Sequence, residues 1–188
     1  QHSVMARPAF KAWWTRFVPV QIERSTYVLF ASLALILLFW QWRPLPEPVW
    51  QVTSPPAVIA IWTLFGLGWA TVLSSTFLIN HFDLFGLRQV WAYRRALEIP
   101  PSDFVTPLFY RVVRHPLYVG FIVAFFATPT MSQGHLLFAL ATTAWILIAI
   151  QLEERDLVAV FGDRYLQYRS QVGMLIPHLR ERGALRRR

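Results

Sequence analysis

Residues 117–152 read LYVGFIVAFFATPTMSQGHLLFALATTAWILIAIQL, an apolar run without a charged side chain. A helix crosses the roughly 30 Å hydrocarbon core of a bilayer with about 20 residues, so this run is too long for one crossing. Its centre, TPTMSQG at 128–134, contains Pro129 and Gly134, and these residue types favour a tight turn. The run therefore predicts a helical hairpin with arms at 116–131 and 135–152.

Two more apolar runs precede the hairpin. Residues 26–42 and 57–79 carry no charge, and the shorter run spans a membrane when its flanks are included or the bilayer thins locally. We therefore predict an all-α fold, a polytopic membrane helix bundle that forms a single domain over 1–188. The sequence opens at Gln1 rather than Met, and we expect that an N-terminal helix is missing from it.

The composition excludes several classes of protein. Hydrophobic residues make up 55% of the chain and charged residues only 15%, whereas a soluble domain carries about 25% charged residues. This apolar content excludes both an ordinary soluble globule and a disordered chain. The chain has no cysteine, which excludes disulfides, thiolate metal sites and a cysteine nucleophile.

The basic residues predict the orientation in the membrane. They cluster in the N-terminal segment, in the loop 80–115 and in the tail 153–188, and the other connections carry few. Cytoplasmic connections are rich in Lys and Arg, so we place these three segments in the cytoplasm. An arginine-rich tail also suits nucleic acid, but its alternation with the spans favours topology and contact with the lipid bilayer, and no nucleic-acid partner is expected.

The motif YRVVRHPLYVG stands where this loop enters the hairpin. Pro116 suits the first turn of a helix, where a missing N–H costs nothing. Arg114 and His115 then lie at a helix N-terminus, beside unpaired N–H groups, and such an end favours a carboxylate or phosphate. Tyr118 and Gly120 follow on the first turns, where Gly120 allows close approach of a ligand or a helix. The alternative is that these residues serve topology and capping.

The second motif is the acidic pair Glu153 and Glu154 at the end of the last apolar run. Adjacent carboxylates at a membrane boundary are expensive without a cationic partner, and they sit poorly at a helix C-terminus. The hairpin returns the chain to the side that it left, so both carboxylates are predicted near Arg114 and His115. This combination matches a zwitterionic ligand.

A third polar segment follows the run at 57–79. His81 and Asp83 are predicted as a general base with its orienting carboxylate, and Arg88 adds positive charge nearby. The alternative is a polar helix cap, where Asn and Asp are common.

Three features together resemble the integral-membrane methyltransferases. They are the Arg-His-Pro-x-Tyr-x-Gly motif, the acidic pair after a hydrophobic hairpin, and Phe-Gly-x-x-Tyr-x-x-Tyr at 161–168. That superfamily includes the isoprenylcysteine carboxyl and phospholipid methyltransferases. The resemblance implies S-adenosyl-L-methionine as cofactor, with Glu153 and Glu154 serving its amino group or ribose. It implies cofactor contacts for Arg114, His115, Pro116, Tyr118, Gly120, Glu153, Glu154 and Tyr165.

Three further segments, QHSVMARP at 1–8, ERSTY at 23–27 and NHFDLFGLRQV at 80–90, resemble the methanethiol S-methyltransferases of the NnrU-like branch. This resemblance implies a bacterial inner-membrane enzyme that methylates a small volatile thiol, methanethiol, to dimethyl sulfide by in-line transfer. Free thiols have a pKa near 8.5, so a base at His81 and Asp83, or the charge of Arg88, would promote ionisation. No metal is required.

Two alternatives keep the fold and change the function. The acceptor could be a prenylcysteine carboxylate or a lipid amine, with the cofactor unchanged. The chain could also be a non-catalytic NnrU-like membrane protein of nitrogen-oxide metabolism. The sequence makes no prediction of an oligomer.

Overall fold

A computed structural model describes residues 2–79, 85–97 and 104–178, and most of them are helical. Within that part, α3, α4 and α7 are each long and apolar enough to cross a membrane. The predicted helical membrane bundle is therefore confirmed, with the addition of a small sheet. In chain order the elements are α1 (His2–Met5), α2 (Pro8–Trp14), α3 (Val20–Gln41), β1 (Pro48–Gln51), α4 (Pro55–Ile79), α5 (Leu87–Arg94), a 3-10 turn (Leu108–Arg111), α6 (Pro116–Phe126), β2 (Thr130–Ser132), α7 (Gln133–Phe161) and α8 (Asp163–Gln171).

The closest packing in the bundle joins α4 to α6 through small residues. A Cβ atom built on Gly120 would lie 2.7 Å from the carbonyl oxygen of Gly68 and 2.9 Å from the backbone nitrogen of Val72. A Cβ atom built on Gly68 would in turn meet Ala124. Small residues of this kind let helix backbones approach closely in membranes, where dispersion contacts replace the hydrophobic effect.

The first arm of the hairpin is shorter than the predicted 116–131. The helix α6 has eleven residues, about 16 Å at 1.5 Å per residue, because residues 130–132 leave the helix and pair antiparallel with β1. The indole nitrogen of Trp50 also donates to the carbonyl oxygen of Thr128 at 3.0 Å. Since β1 lies just before α4, α6 and its extended continuation together run from one end of α4 to the other. The sequence did not predict these strands.

The second arm is longer than the predicted 135–152. The helix α7 begins after Ser132, whose side chain accepts from the backbone N–H of His135, and continues to Phe161. It ends at Gly162, whose φ of 54° lies in the left-handed region that glycine favours, and α8 follows at once. The pair Glu153–Glu154 therefore lies inside α7, two turns before its end. The predicted cost of acidic residues at a helix C-terminus does not arise there.

Candidate active site

A buried cluster of charges surrounds the carboxylate of Glu154. Its side chain is 4% exposed, and its Oε1 atom accepts from Nε of Arg114 at 2.7 Å. Nε2 of His115 lies 3.1 Å from the same oxygen. On the other oxygen, Nε of Arg169 lies at 3.4 Å. One carboxylate thus faces two guanidinium groups and an imidazole.

The backbone of residues 113–115 holds the cluster in place. Val113 forms a parallel bridge with Gly173, and the N–H groups of Arg114 and His115 donate to the carbonyls of Gly173 and Met174 at 2.8 and 3.2 Å. Nη1 of Arg114 donates to carbonyls at the end of α8, those of Arg169 and Val172. The N–H groups of Arg114 and His115 thus have backbone partners, and the anion at the Arg114 side chain is Glu154.

Glu153 has different neighbours. Its Oε2 atom accepts from the hydroxyl of Tyr118 at 3.1 Å. Tyr27 and Tyr110 also interact electrostatically with this carboxylate, and Arg24 and Arg7 act on Tyr27, with the guanidinium carbon of Arg24 5.7 Å from the centre of its ring. Burial, with Glu153 and Tyr168 adding to it, raises the pKa of Tyr110 above its ordinary value. In the part of the chain that the structure describes, no Lys, Arg or His forms an ion pair with Glu153.

Methanethiol S-methyltransferases of several bacteria are similar to this chain over most of its length. The methanethiol S-methyltransferase of Mycobacterium tuberculosis is 60% identical over 177 residues, which cover 94% of this chain and 72% of that protein. The methanethiol S-methyltransferase of Pseudomonas deceptionensis is 53% identical over 180 residues, 96% of this chain and 69% of that protein. The chain belongs to the methanethiol S-methyltransferase family. The resemblance that the sequence motifs predicted is confirmed, and the chain is a methyltransferase.

A more distant relative is Nurim of Sus scrofa, 31% identical over 180 residues, which cover 91% of this chain and 66% of that protein. No protein-family model and no solved structure matches the chain. The placement of site residues in this family member therefore rests on its own geometry.

In this methyltransferase Pro116 lies at the start of α6 and Gly120 lies against α4. Pro116 is buried at the first position of α6, as predicted. Gly120 faces the backbone of α4, so the close approach that it allows is that of a helix. Their predicted contact with the cofactor remains a prediction.

Tyr165 lies in the core of an aromatic group at the start of α8. It is 1% exposed, and its ring packs against Phe104 and Tyr168 at centroid distances of 5.8 and 5.9 Å. Its hydroxyl oxygen is buried and has no hydrogen-bond partner among the described residues. Burial, with Glu154 adding to it, raises the pKa of Tyr165, so this hydroxyl is neutral and can donate.

Of the three residues predicted at the base, the structure describes only Arg88. His81 and Asp83 lie outside the described residues. Arg88 lies in the first turn of α5, and α5 packs against α3. Their proposed catalytic roles remain predictions.

Two arginines of this family member were missed in the sequence. Arg169 pairs with Glu154, and Arg7 donates to the carbonyl of Leu152 at 3.2 Å and pairs with Asp156 at 2.9 Å. Both contacts hold a remote segment against α7 near the acidic pair. The only signal for Arg169 was its place after the Phe-Gly-x-x-Tyr-x-x-Tyr motif, where it is one of many arginines. Arg7 belongs to the segment at 1–8 that carries the family resemblance, but its pairing could not be predicted because its partner lies 149 positions away in the sequence.

Proposed function

We propose that this chain methylates methanethiol to dimethyl sulfide with S-adenosylmethionine as the methyl donor. The acceptor is taken from the names of relatives that are 53% to 60% identical to it. The observation that carries the proposal is the meeting of the two predicted motifs. Arg114 lies 2.7 Å from Glu154, and Tyr118 lies 3.1 Å from Glu153.

The described residues fit the polar groups of this donor. S-adenosylmethionine supplies a methyl group on a positively charged sulfur. Among the described residues, the carboxylate of Glu153 forms no ion pair and the buried hydroxyl of Tyr165 has no hydrogen-bond partner. We assign these two residues and Tyr118 to direct contact. Buried polar groups are rarely left unpaired, so the hydroxyl of Tyr165 is available to a bound ligand.

The residues around Glu154 take a supporting part in this proposal. Arg114 and His115 are both bonded to Glu154, and Arg114 also to backbone carbonyls. Through these bonds they fix the start of α6 and the end of α8 around the donor site. Such rigid placement is what transfer between two sulfur atoms requires, since aligned reactants supply much of the acceleration.

The thiol must lose its proton before transfer. We assign this task to His81 with Asp83, and the charge of Arg88 favours the thiolate. Bound S-adenosylmethionine would supply the methyl group to this thiolate by in-line transfer. We place the site on the cytoplasmic side of a bacterial inner membrane, because the arginines of 1–16, 80–115 and the C-terminal tail lie on that side by the positive-inside rule.

A direct assay tests the proposal. Membranes from cells that express the chain are incubated with S-adenosylmethionine and methanethiol, and dimethyl sulfide is measured in the headspace. We expect product above membranes from an empty-vector strain, and the same rate from Glu47→Gln, since Glu47 precedes β1 at the opposite end of the bundle. Cofactor binding without dimethyl sulfide would overturn the acceptor and leave the donor in place.

The role of the base has its own variant. His81→Ala is expected to lower kcat by about 10²- to 10⁴-fold with cofactor affinity unchanged. Equal losses in turnover and cofactor affinity would show that His81 belongs to the cofactor site.

A further inference from the structure

We infer that residues 7–14 form a brace that sets the distance between α3 and α7 at the candidate site, an inference that rests on the proposed function. The brace consists of Arg7 and the seven-residue helix α2, whose last residue is Trp14. Its two ends are attached to different helices of the bundle. Arg7 and Trp14 are then positioning residues for methyl transfer, and neither is among the residues that the sequence motifs assign to the site.

The first end of the brace is attached to α7. Nη1 of Arg7 donates to the carbonyl oxygen of Leu152 at 3.2 Å and lies 2.9 Å from the carboxylate of Asp156. These two partners lie on either side of Glu153 in the sequence of α7. A guanidinium group carries five donors in a rigid fork, so it can bond to a carbonyl and a carboxylate together and keep one direction. The brace therefore holds the turn of α7 that carries Glu153.

The second end of the brace is attached to α3. The indole nitrogen of Trp14 donates to the hydroxyl oxygen of Thr26 at 3.1 Å, and its ring meets that of Phe30 edge-on at a centroid distance of 6.1 Å. These two partners lie on either side of Tyr27 in α3, and Tyr27 interacts electrostatically with Glu153. The two attachments therefore flank Tyr27 on one helix and Glu153 on the other.

Between its attachments the brace is helical. Pro8 opens α2 at the position where a missing N–H costs nothing, and the rings of Phe10 and Trp14 stack at a centroid distance of 6.1 Å. Seven helical residues rise about 10 Å at about 1.5 Å per residue. Helical hydrogen bonds keep the segment at this length, whereas an irregular linker of the same residues could vary in length. The brace can therefore fix a separation as well as join two helices.

The separation of α3 and α7 matters because the two helices serve different reactants in the proposed reaction. Glu153 on α7 is assigned to the methyl donor. The start of α3 packs against the turn at Gly86, where a Cβ atom would lie 2.8 Å from Oγ of Ser25 and 2.9 Å from Cβ of Arg24. In the sequence this turn directly follows the segment with His81, to which we assign removal of the thiol proton. The brace thus sets the distance between the donor side and the acceptor side, and a misplacement of about 1 Å can lower a rate by about 10²-fold.

Variants that release one end at a time test the brace. Arg7→Gln removes the guanidinium from α7, Trp14→Ala removes the indole from α3, and the double variant releases both ends. Both members of the ion pair with Asp156 are partly exposed, at 29% and 40%, so loss of this pair leaves the fold largely intact. The control is Arg16→Gln, which changes an exposed arginine just beyond the brace.

Three quantities are measured for each purified protein in detergent. The Kd and the number of binding sites for S-adenosylmethionine come from equilibrium dialysis. The kcat per binding site comes from dimethyl sulfide in the headspace, so protein that has lost its fold does not count. The unfolding temperature is recorded as a further check on folding.

We expect each single variant to lower kcat per binding site by about 10- to 100-fold and to leave the Kd of S-adenosylmethionine within about threefold of the wild-type value. Because a brace fails when either end is released, the double variant should be about as slow as the slower single variant, whereas independent contacts give additive free energies and hence multiplied losses. The control should keep both kcat and Kd.

Other results would overturn the inference. Losses that multiply in the double variant would show two independent contacts. A Kd that weakens as much as kcat falls would place Arg7 or Trp14 in the cofactor site. An unchanged kcat in either single variant would show that α3 and α7 keep their distance without the brace. Wild-type protein that binds no S-adenosylmethionine, or binds it and forms no dimethyl sulfide, would overturn the proposed function itself, a result distinct from all of these.

Discussion

Glu153 and Glu154 are neighbours in the sequence and lie in opposite electrostatic surroundings. Glu154 faces Arg114, His115 and Arg169, whereas Glu153 faces phenols. Consecutive residues of a helix project about 100° apart, so one turn of α7 presents one carboxylate to each group. The difference teaches that two adjacent acidic residues can have different tasks: Glu154 joins three segments of the chain, whereas Glu153 accepts a hydrogen bond from Tyr118 and is assigned to the methyl donor in our proposal.

The largest loss of stability that would test this difference is expected from removal of Glu154. Glu154→Ala leaves Arg114 and His115 buried without their counter-charge, and loss of one partner from a buried ion pair costs about 3–5 kcal/mol. We expect a corresponding fall in the free energy of unfolding, seen as a lower unfolding temperature in detergent. The matched variant Glu153→Ala loses one hydrogen bond, about 1 kcal/mol. Equal shifts for the two variants would contradict the division.

Gly120→Ala tests the close packing of α6 against α4, which positions the residues around both carboxylates. Its expected loss of stability is smaller than that of Glu154→Ala. The added Cβ atom meets the backbone of Gly68 and Val72, so α6 must move away from α4 and carry Tyr118 with it. Overpacking of this kind costs about 1–3 kcal/mol. The matched control is Gly66→Ala, because a Cβ atom there meets nothing within 4 Å. A stability of Gly120→Ala equal to that of Gly66→Ala would show that the two helices do not need their close approach.

The helices of the bundle could be predicted from the sequence because long uncharged runs leave few alternatives. The run at 57–79 became α4, Pro55–Ile79, with a shift of two residues at its start. The strands could not be predicted, since β2 has three residues and its partner lies about 80 positions earlier in the chain. Neither segment has an apolar alternation long enough to indicate a strand.

The sequence predicted which residues would come together in the candidate site, but it did not predict which of them would pair with one another. The hairpin brings Arg114 and His115 towards the acidic pair, and that approach follows from the sequence. Which carboxylate meets the cations depends on the rotation of α7 and on the turn at Gly162, which folds α8 back to supply Arg169. Such rotations arise from tertiary packing, and the apolar pattern of a membrane helix does not encode them strongly.

Arg169 is the most exposed of the cations around Glu154, and its removal is expected to cost less stability than the changes above. The side chain of Arg169 is 49% exposed and lies 3.4 Å from the carboxylate. Solvent screens a pair of this kind, so Arg169→Ala should cost about 0–1 kcal/mol. Unfolding temperatures compared with those of Arg155→Ala, an exposed arginine one position after Glu154, provide the measurement. A loss as large as that of Glu154→Ala would mean that Arg169 is the main partner of the carboxylate.

The smallest effect is expected at alkaline pH, where Tyr168 reports on the Glu154 side alone. Burial raises the pKa of Tyr168 to about 12, with Arg114 lowering it and Glu154 raising it. The unfolded phenol ionises near 10, so the native state is unaffected at neutral pH and loses stability as the pH rises from about 10 to 12. Absorbance at 295 nm should show a late transition that Tyr168→Phe removes. Glu153→Gln should leave that transition in place, because the charges that act on Tyr168 belong to Arg114 and Glu154. If Glu153→Gln changes the pH of this transition, the charge of Glu153 also acts on Tyr168, and the two carboxylates do not have separate electrostatic surroundings.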